Sequence, residues 1–316
     1  MIKYIIHLIH AQMGTTSTTA VTVPVTTTTT RSTSLTGHNT PTPPELPAGD
    51  DVSVESACRV VLESLKTNLS HADAKTEAMS QMIKLFWNEP KAQQLLTSLG
   101  ACKAVLDILK RHPEHTGVQQ HGMHAMKNMA CNRTALTQLA DLGVSKVILE
   151  TLNRHLEHSG VQREGMLAMW MSSDNPEVQK QFIDLGACKV CSSALKRHLQ
   201  HADVQVSVLS AICLSSNNPT AKQQLSELGV IKTMMDSIRL HSEHAGVQKQ
   251  GMQALLVLSR DNLQIQKELK DLGASQVVLE VVKRHVEDDL IQRVGIYILE
   301  SVFSILRDSI KNDIEL

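Results

Sequence analysis

An all-helical solenoid of about six three-helix repeats, with a period of 43–44 residues, is the fold class this 316-residue sequence predicts. Three observations carry the prediction. A Leu-Gly pair recurs at Leu99-Gly100, Leu142-Gly143, Leu185-Gly186, Leu228-Gly229 and Leu272-Gly273, at spacings of 43, 43, 43 and 44 residues. His112, His155, His198, His241 and His285 keep the same rhythm. So do Val118-Gln119, Val161-Gln162, Val204-Gln205, Val247-Gln248 and Ile291-Gln292. A fixed period in the low forties marks stacked helical units, each burying its apolar face against the next.

The unit that begins at Gly143 shows how each element is read. Gly143 closes a short helix, where a residue tolerant of left-handed backbone is expected. A second helix runs from Val144 to about His155, with Val144, Val147, Ile148 and Leu152 at helical spacing. Leu156 to Gly160 form a polar link. A longer third helix follows over about 161–172, with Val161, Gly165, Ala168 and Met169 on one face. Ser173-Asp174-Asn175-Pro176 breaks it, and a short helix over about 177–185 completes the 43 residues. The units fall at about 51–99, 100–142, 143–185, 186–228, 229–272 and 273–316. The outer two are more divergent, as expected where an outer face meets water. The first places its long helix at about 72–86, and the last at about 294–306.

Residues 1–50 have a different texture. The stretch from residue 14 to about 50 is rich in Thr, Ser and Pro, and buries too little to offset its chain entropy. A disordered tail is expected. The start, MIKYIIHLIHAQ, has the outline of a signal peptide, but His7 and His10 interrupt its apolar stretch. Secretion with a glycosylated stalk, or myristoylation at Gly14 if translation begins at Met13, are the alternatives to a cytoplasmic protein.

Composition narrows the function classes. Hydrophobic residues make up 42% of the chain and aromatics only 2%, so the core is built from aliphatic side chains and Met. With 31 basic and 32 acidic residues, no general attraction to nucleic acid is expected. The six cysteines lie within apolar helical patterns and read as reduced core thiols, consistent with an intracellular setting. No run of 18 apolar residues occurs. No P-loop, dinucleotide fingerprint, GxSxG or HExxH is found. No enzyme activity, cofactor or metal is expected.

The segment Val118-Gln119-Gln120-His121-Gly122-Met123-His124-Ala125-Met126-Lys127-Asn128-Met129-Ala130 resembles the long third helix of an armadillo repeat. The Leu-Gly-Ala and Leu-Gly-Val junctions resemble the turn between its first and second helices. The 43-residue spacing with an "RH…HxGVQ..G..A" pattern is similar to the armadillo region of leucine-rich-repeat kinases and related protist proteins, over about residues 55–316. This resemblance implies a right-handed superhelix whose third helices line a concave groove for protein partners. Peptide-binding members of the family carry an Asn ladder in that groove, with a Trp four residues before each Asn. Here the Asn position holds Lys84, Asn128, Met171, Leu214, Val257 and Ser301, and the Trp position holds Ser80, His124, Leu167, Ser210, Gln253 and Tyr297. One Asn and no Trp do not fit recognition of extended basic peptides. A partner helix or packed protein surface is expected instead. The groove residues expected to meet it are His124, Asn128, Leu167, Trp170, Met171, Ser210, Leu214, Gln253, Val257, Tyr297 and Ser301.

Other motifs have blander readings. The pairs His112/His115, His155/His158, His198/His201 and His241/His244 have i, i+3 spacing, which could support a metal- or pH-responsive module. Successive pairs would lie roughly 10 Å apart, too far to share an ion. The first His is better read as closing the second helix, and the second as shaping the link to the third. Cys188-Lys189-Val190-Cys191 is a lone CxxC and reads as core packing. Self-association through a terminal face remains the structural alternative.

Overall fold

A computed structural model describes residues 51–67, 72–213 and 218–300. The tail at 1–50, and the expected groove residues Leu214 and Ser301, lie outside the described residues. Among the described residues every regular element is helical: α1 (Asp51–Lys66), α2 (Ala72–Asn88), α3 (Pro90–Ser98), α4 (Ala101–Arg111), α5 (Thr116–Ala130), α6 (Arg133–Asp141), α7 (Val144–Arg154), α8 (Ser159–Ser172), α9 (Pro176–Asp184), α10 (Ala187–Arg197), α11 (Ala202–Ile212), α12 (Pro219–Glu227), α13 (Val230–Leu240), α14 (Ala245–Ser259), α15 (Leu263–Asp271) and α16 (Ala274–Arg284). Residues 289–300 form a further helix, α17.

The long helices α2, α5, α8, α11 and α14 pack each on the next in one continuous layer. The second helices α1, α4, α7, α10, α13 and α16 form a parallel layer. The short helices lie across the seams; α6, for instance, touches α4, α5 and α7. This is an α-solenoid, and one apolar core runs through it. Met79, Met126, Met166 and Met235 fill that core, with Phe86 and Phe182 among its few aromatics. Unbranched Met adapts to the irregular spaces between repeats.

Each marker of the period has a physical cause. Gly143 adopts φ 76°, the left-handed conformation that ends α6 and starts α7. Gly165 lets α8 approach α7, because a Cβ there would come within 2.6 Å of Leu152 Cδ2. The glutamines close the second helices. Gln162 Nε2 donates to the carbonyls of Leu152 (2.7 Å) and His155 (3.0 Å), which the end of α7 leaves without helical partners. Gln119, Gln205, Gln248 and Gln292 repeat this pair of bonds in their own units. In the first unit Lys75 holds the equivalent place. Its ammonium is fully buried and donates to the carbonyls of Ser64, Leu65 and Thr67.

The histidines divide as their positions predict. The first of each pair ends a second helix, and in three units it also ties repeats together. His155, His198 and His241 each place Nε2 at 2.7–2.8 Å from the carbonyl of Pro113, Leu156 or Leu199, one repeat earlier. Since a carbonyl can only accept, Nε2 carries the proton. His285 departs from the pattern, with its Nε2 buried and unpartnered among the described residues. The second of each pair is an N-cap. Nδ1 of His115, His158 and His244 accepts from the amides of Val118, Val161 and Val247 at 3.1–3.2 Å. Asp288 takes the same role in the last unit, accepting from Leu290 and Ile291. His201 makes no cap bond. Its unit has Asp203 where the three histidine-capped units have glycine, and a Cβ at Gly117 or Gly246 would press on the capping ring at 3.2 or 3.1 Å.

A fourth marker was not read from the sequence. Asn132, Asn175, Asn218 and Asn262 cap the short first helices through their side-chain carbonyls. The one 44-residue spacing is taken up beside the last of these, at Asp261. Its φ of 56° makes it the one non-glycine residue with positive φ among the described residues.

Candidate functional site

The exposed face of the long-helix layer is the candidate site. Helical spacing sets what it presents. On α8, Arg163, Leu167, Trp170 and Met171 fall on one stripe at i, i+4, i+7 and i+8, while Val161, Met166, Ala168 and Met169 are buried behind it. Leu167 and Met171 are half-buried, and Trp170 is 38% exposed. On α5 the matching stripe is His121, His124 and Lys127, all half-buried. On α14 Gln253 and Val257 are half-buried. On α17 Tyr297 is exposed, with the Arg260 guanidinium 5.9 Å from its ring centroid.

Two of the expected groove residues are not surface groups. Ser210 is buried at 2% exposure, and its hydroxyl donates to the Val206 carbonyl at 2.9 Å. It therefore offers a partner no contact; the half-buried neighbour on that turn is Val206. Asn128 is also buried, at 5% exposure, and its Nδ2 has no acceptor among the described residues. The physical reason is shared. Both are short side chains on a layer where α5, α8 and α11 pack directly on one another, so they sink below the longer side chains around them.

Sequence reasoning passed over the most polar feature of the face. Glu164 is buried in the seam between α5 and α8, with its side chain 2% exposed. Lys127 Nζ lies 2.9 Å from Oε2 and Arg163 Nη2 lies 2.6 Å from Oε1. His124 Nδ1 stands 4.0 Å from Oε2. Burial would raise the Glu164 pKa, but the charge and hydrogen bond of Lys127 and the charge of Arg163, joined by His124 only where that ring is protonated, outweigh it and hold the carboxyl below its ordinary value. Burial pushes the His124 imidazole down to about 4, and Lys127 and Arg163 reinforce that against the pull of Glu164. The only sequence signal was the recurrence of charge at two adjacent third helices, which periodicity cannot assign to one seam. Trp87, 69% exposed near the end of α2, is a second large apolar group that the repeat analysis did not single out.

The remaining candidate chemistries have structural occupations. Cys102 and Cys188, at equivalent positions two repeats apart, point Sγ at the carbonyls of Ala135 and Ala221 at 3.8 Å. Burial raises both thiols to about 11, and raises Cys191 still further. Thiols so far from ionisation are packing groups. Among the described residues no cluster of three His, Cys, Asp or Glu could hold a metal ion. Among them, too, no helix is long and apolar enough to cross a membrane.

Known proteins place this architecture. The LRRK2 ARM repeat family matches residues 167–313. No curated protein matches the chain. Among solved structures, a crystal structure of an engineered protein from the Northeast Structural Genomics Consortium aligns over 79% of this chain and 96% of its own, at 20% identity and a TM-score of 0.66. A second engineered protein of that consortium aligns over 80% of this chain and 61% of its own, at 20% identity and TM-score 0.67. A structure from work on a phosphorylation switch controlling the interaction between cadherin and beta-catenin aligns over 78% of this chain and 52% of its own, at 13% identity and TM-score 0.54. At these identities the structures speak to fold alone. Period, helix order and marker chemistry agree with that family match, which spans just under half of the chain: the fold is an armadillo-type repeat solenoid.

Proposed function

We propose that the chain is a non-enzymatic protein-interaction module that receives a partner helix or protein surface on the exposed face of its long-helix layer. The observation that carries this reading is the stripe Leu167, Trp170 and Met171 on α8, apolar and accessible, with Lys127 and Arg163 beside it. Exposed Trp is enriched among residues that dominate binding energy. Neighbouring Met gives a surface able to adapt to a partner's shape. A solenoid supports such binding because its layer is continuous over several repeats.

The test is affinity purification from native cells with the full chain and with a Trp170→Ala/Met171→Ala variant. Partners held by wild type and lost by the variant, with the thermal melt unchanged, support the reading. Equal recovery by both proteins overturns the assignment of this face. Leu214 and Ser301 remain part of the proposed surface by their register in the repeat, and alanine at either extends the same test.

A further inference from the structure

The Glu164 seam has a feature that the apolar stripe does not explain. A carboxylate at 2% exposure is costly to bury, and here it is compensated by two cations whose side chains are 22% and 42% exposed, Lys127 and Arg163. Two positive charges face one negative charge, so the cluster keeps a net charge of +1. His124 adds none, because its imidazole is neutral at physiological pH. One of the three Lys127 donors bonds Glu164, and the Arg163 guanidinium, with its five donors, pairs with it by charge. The other donors remain for a ligand, held by the buried carboxylate beneath them.

We propose that the α5–α8 seam is a recognition site for a carboxylate side chain of a partner's amphipathic helix, read by Lys127 and Arg163 while Leu167, Trp170 and Met171 take the adjacent apolar side chains. This rests on the interaction-module reading and names the partner's chemistry. Charge decides the class of acceptor. A net +1 complements one carboxylate. A phosphate of charge near −2 would be undercompensated, and Glu164 beneath the cations would repel it further. A basic partner would meet like charge. Spacing supports a helix as the occupant. Arg163, Leu167, Trp170 and Met171 run along one stripe of α8, so an acid and an apolar anchor one turn apart on a facing helix would meet both halves. Glu164 is a positioning residue in this account: it fixes the two cations and touches no partner.

The test is a display selection on the full chain, using a library of 18-residue amphipathic helices with Leu, Phe or Trp along one stripe and Glu, Gln or Lys at the flanking positions. Wild type is expected to enrich helices with Glu one turn from a large apolar residue, about tenfold over Gln, as for a charge-assisted bond worth more than a neutral one. Removing the cations alone would strand Glu164, so the comparison protein carries Lys127→Ala, Arg163→Ala and Glu164→Gln together, with its melt checked. It is expected to keep binding the helices and to lose the preference for Glu. Helices that depend on Trp170 and Met171 but show no acidic preference, or the same preference on the triple variant, overturn this inference and leave the interaction-module reading standing. No enriched helix at all overturns both.

Discussion

Replacing Gln162 and Gln119 by Leu separates the two jobs of the glutamine marker. Gln162 is fully buried, and its amide closes the end of α7 through the carbonyls of Leu152 and His155. In Gln162→Leu the His155 carbonyl keeps the amide of His158 at 3.1 Å. The Leu152 carbonyl loses the donor that the helix end denies it. One stranded acceptor at about 1–3 kcal/mol and one lost bond at about 1 kcal/mol are the gross cost. Removing Gln162 Oε1, which has no partner among the described residues, offsets part of it. A net loss of about 2–3 kcal/mol is expected. Gln119 differs in one respect: its Oε1 accepts from Thr151 Oγ1 of the next repeat at 2.7 Å. Gln119→Leu therefore loses a third bond and gains no offset, so it should cost about 1–2 kcal/mol more than Gln162→Leu. Adding Thr151→Val should recover about 1 kcal/mol of that difference and show as a coupling in a double-mutant cycle. Urea unfolding followed by circular dichroism measures all three, with an unchanged m-value confirming a common unfolded state. Equal costs for the two glutamines, or costs below about 0.5 kcal/mol for both, would refute the argument that these amides terminate the second helices and that one of them bonds across repeats.

Three further outcomes follow from the same contacts. Gly165→Ala forces a methyl to within 2.6 Å of Leu152 Cδ2, so calorimetry should find it destabilised by about 1–3 kcal/mol, with partial rescue by Leu152→Val. His158→Ala should cost about 1 kcal/mol through loss of the Val161 cap, while His158→Asp should hold wild-type stability, as Asp288 does at the equivalent position. Because His124 is lowered from 6.5 to about 4, the unfolded chain binds a proton that the folded one refuses between those values. Stability from this residue is complete above pH 6.5 and falls as pH drops toward 4. Chemical denaturation across that window should lose part of its pH slope in His124→Gln, and an unchanged slope would contradict the assigned burial.

The period was legible because five units repeat the same backbone problems. A left-handed turn needs Gly143, a helix end needs Gln162, and a helix start needs His158, so those residues recur where the problems do. Apolar spacing then located the helices to within a few residues. The site was less legible because a surface made by neighbouring units depends on how closely they pack. Ser210 and Asn128 occupy groove positions by register and are buried in the structure. Glu164 looks like an ordinary surface charge in sequence, and its buried ion pair with Lys127 exists only once α8 lies on α5. Lys75 was hidden for another reason: it performs a glutamine's role with a different group, so no residue-level pattern carries it.

Hydrogen exchange on the full chain, alone and with a partner recovered by wild type and lost by Trp170→Ala/Met171→Ala, tests the central claim most directly. The account predicts added protection in α5, α8 and α14, concentrated around 121–131, 163–172 and 249–257, with the second-helix layer of α4, α7, α10 and α13 unchanged. Protection confined to that second layer, with α5 and α8 exchanging as in the free protein, would contradict it.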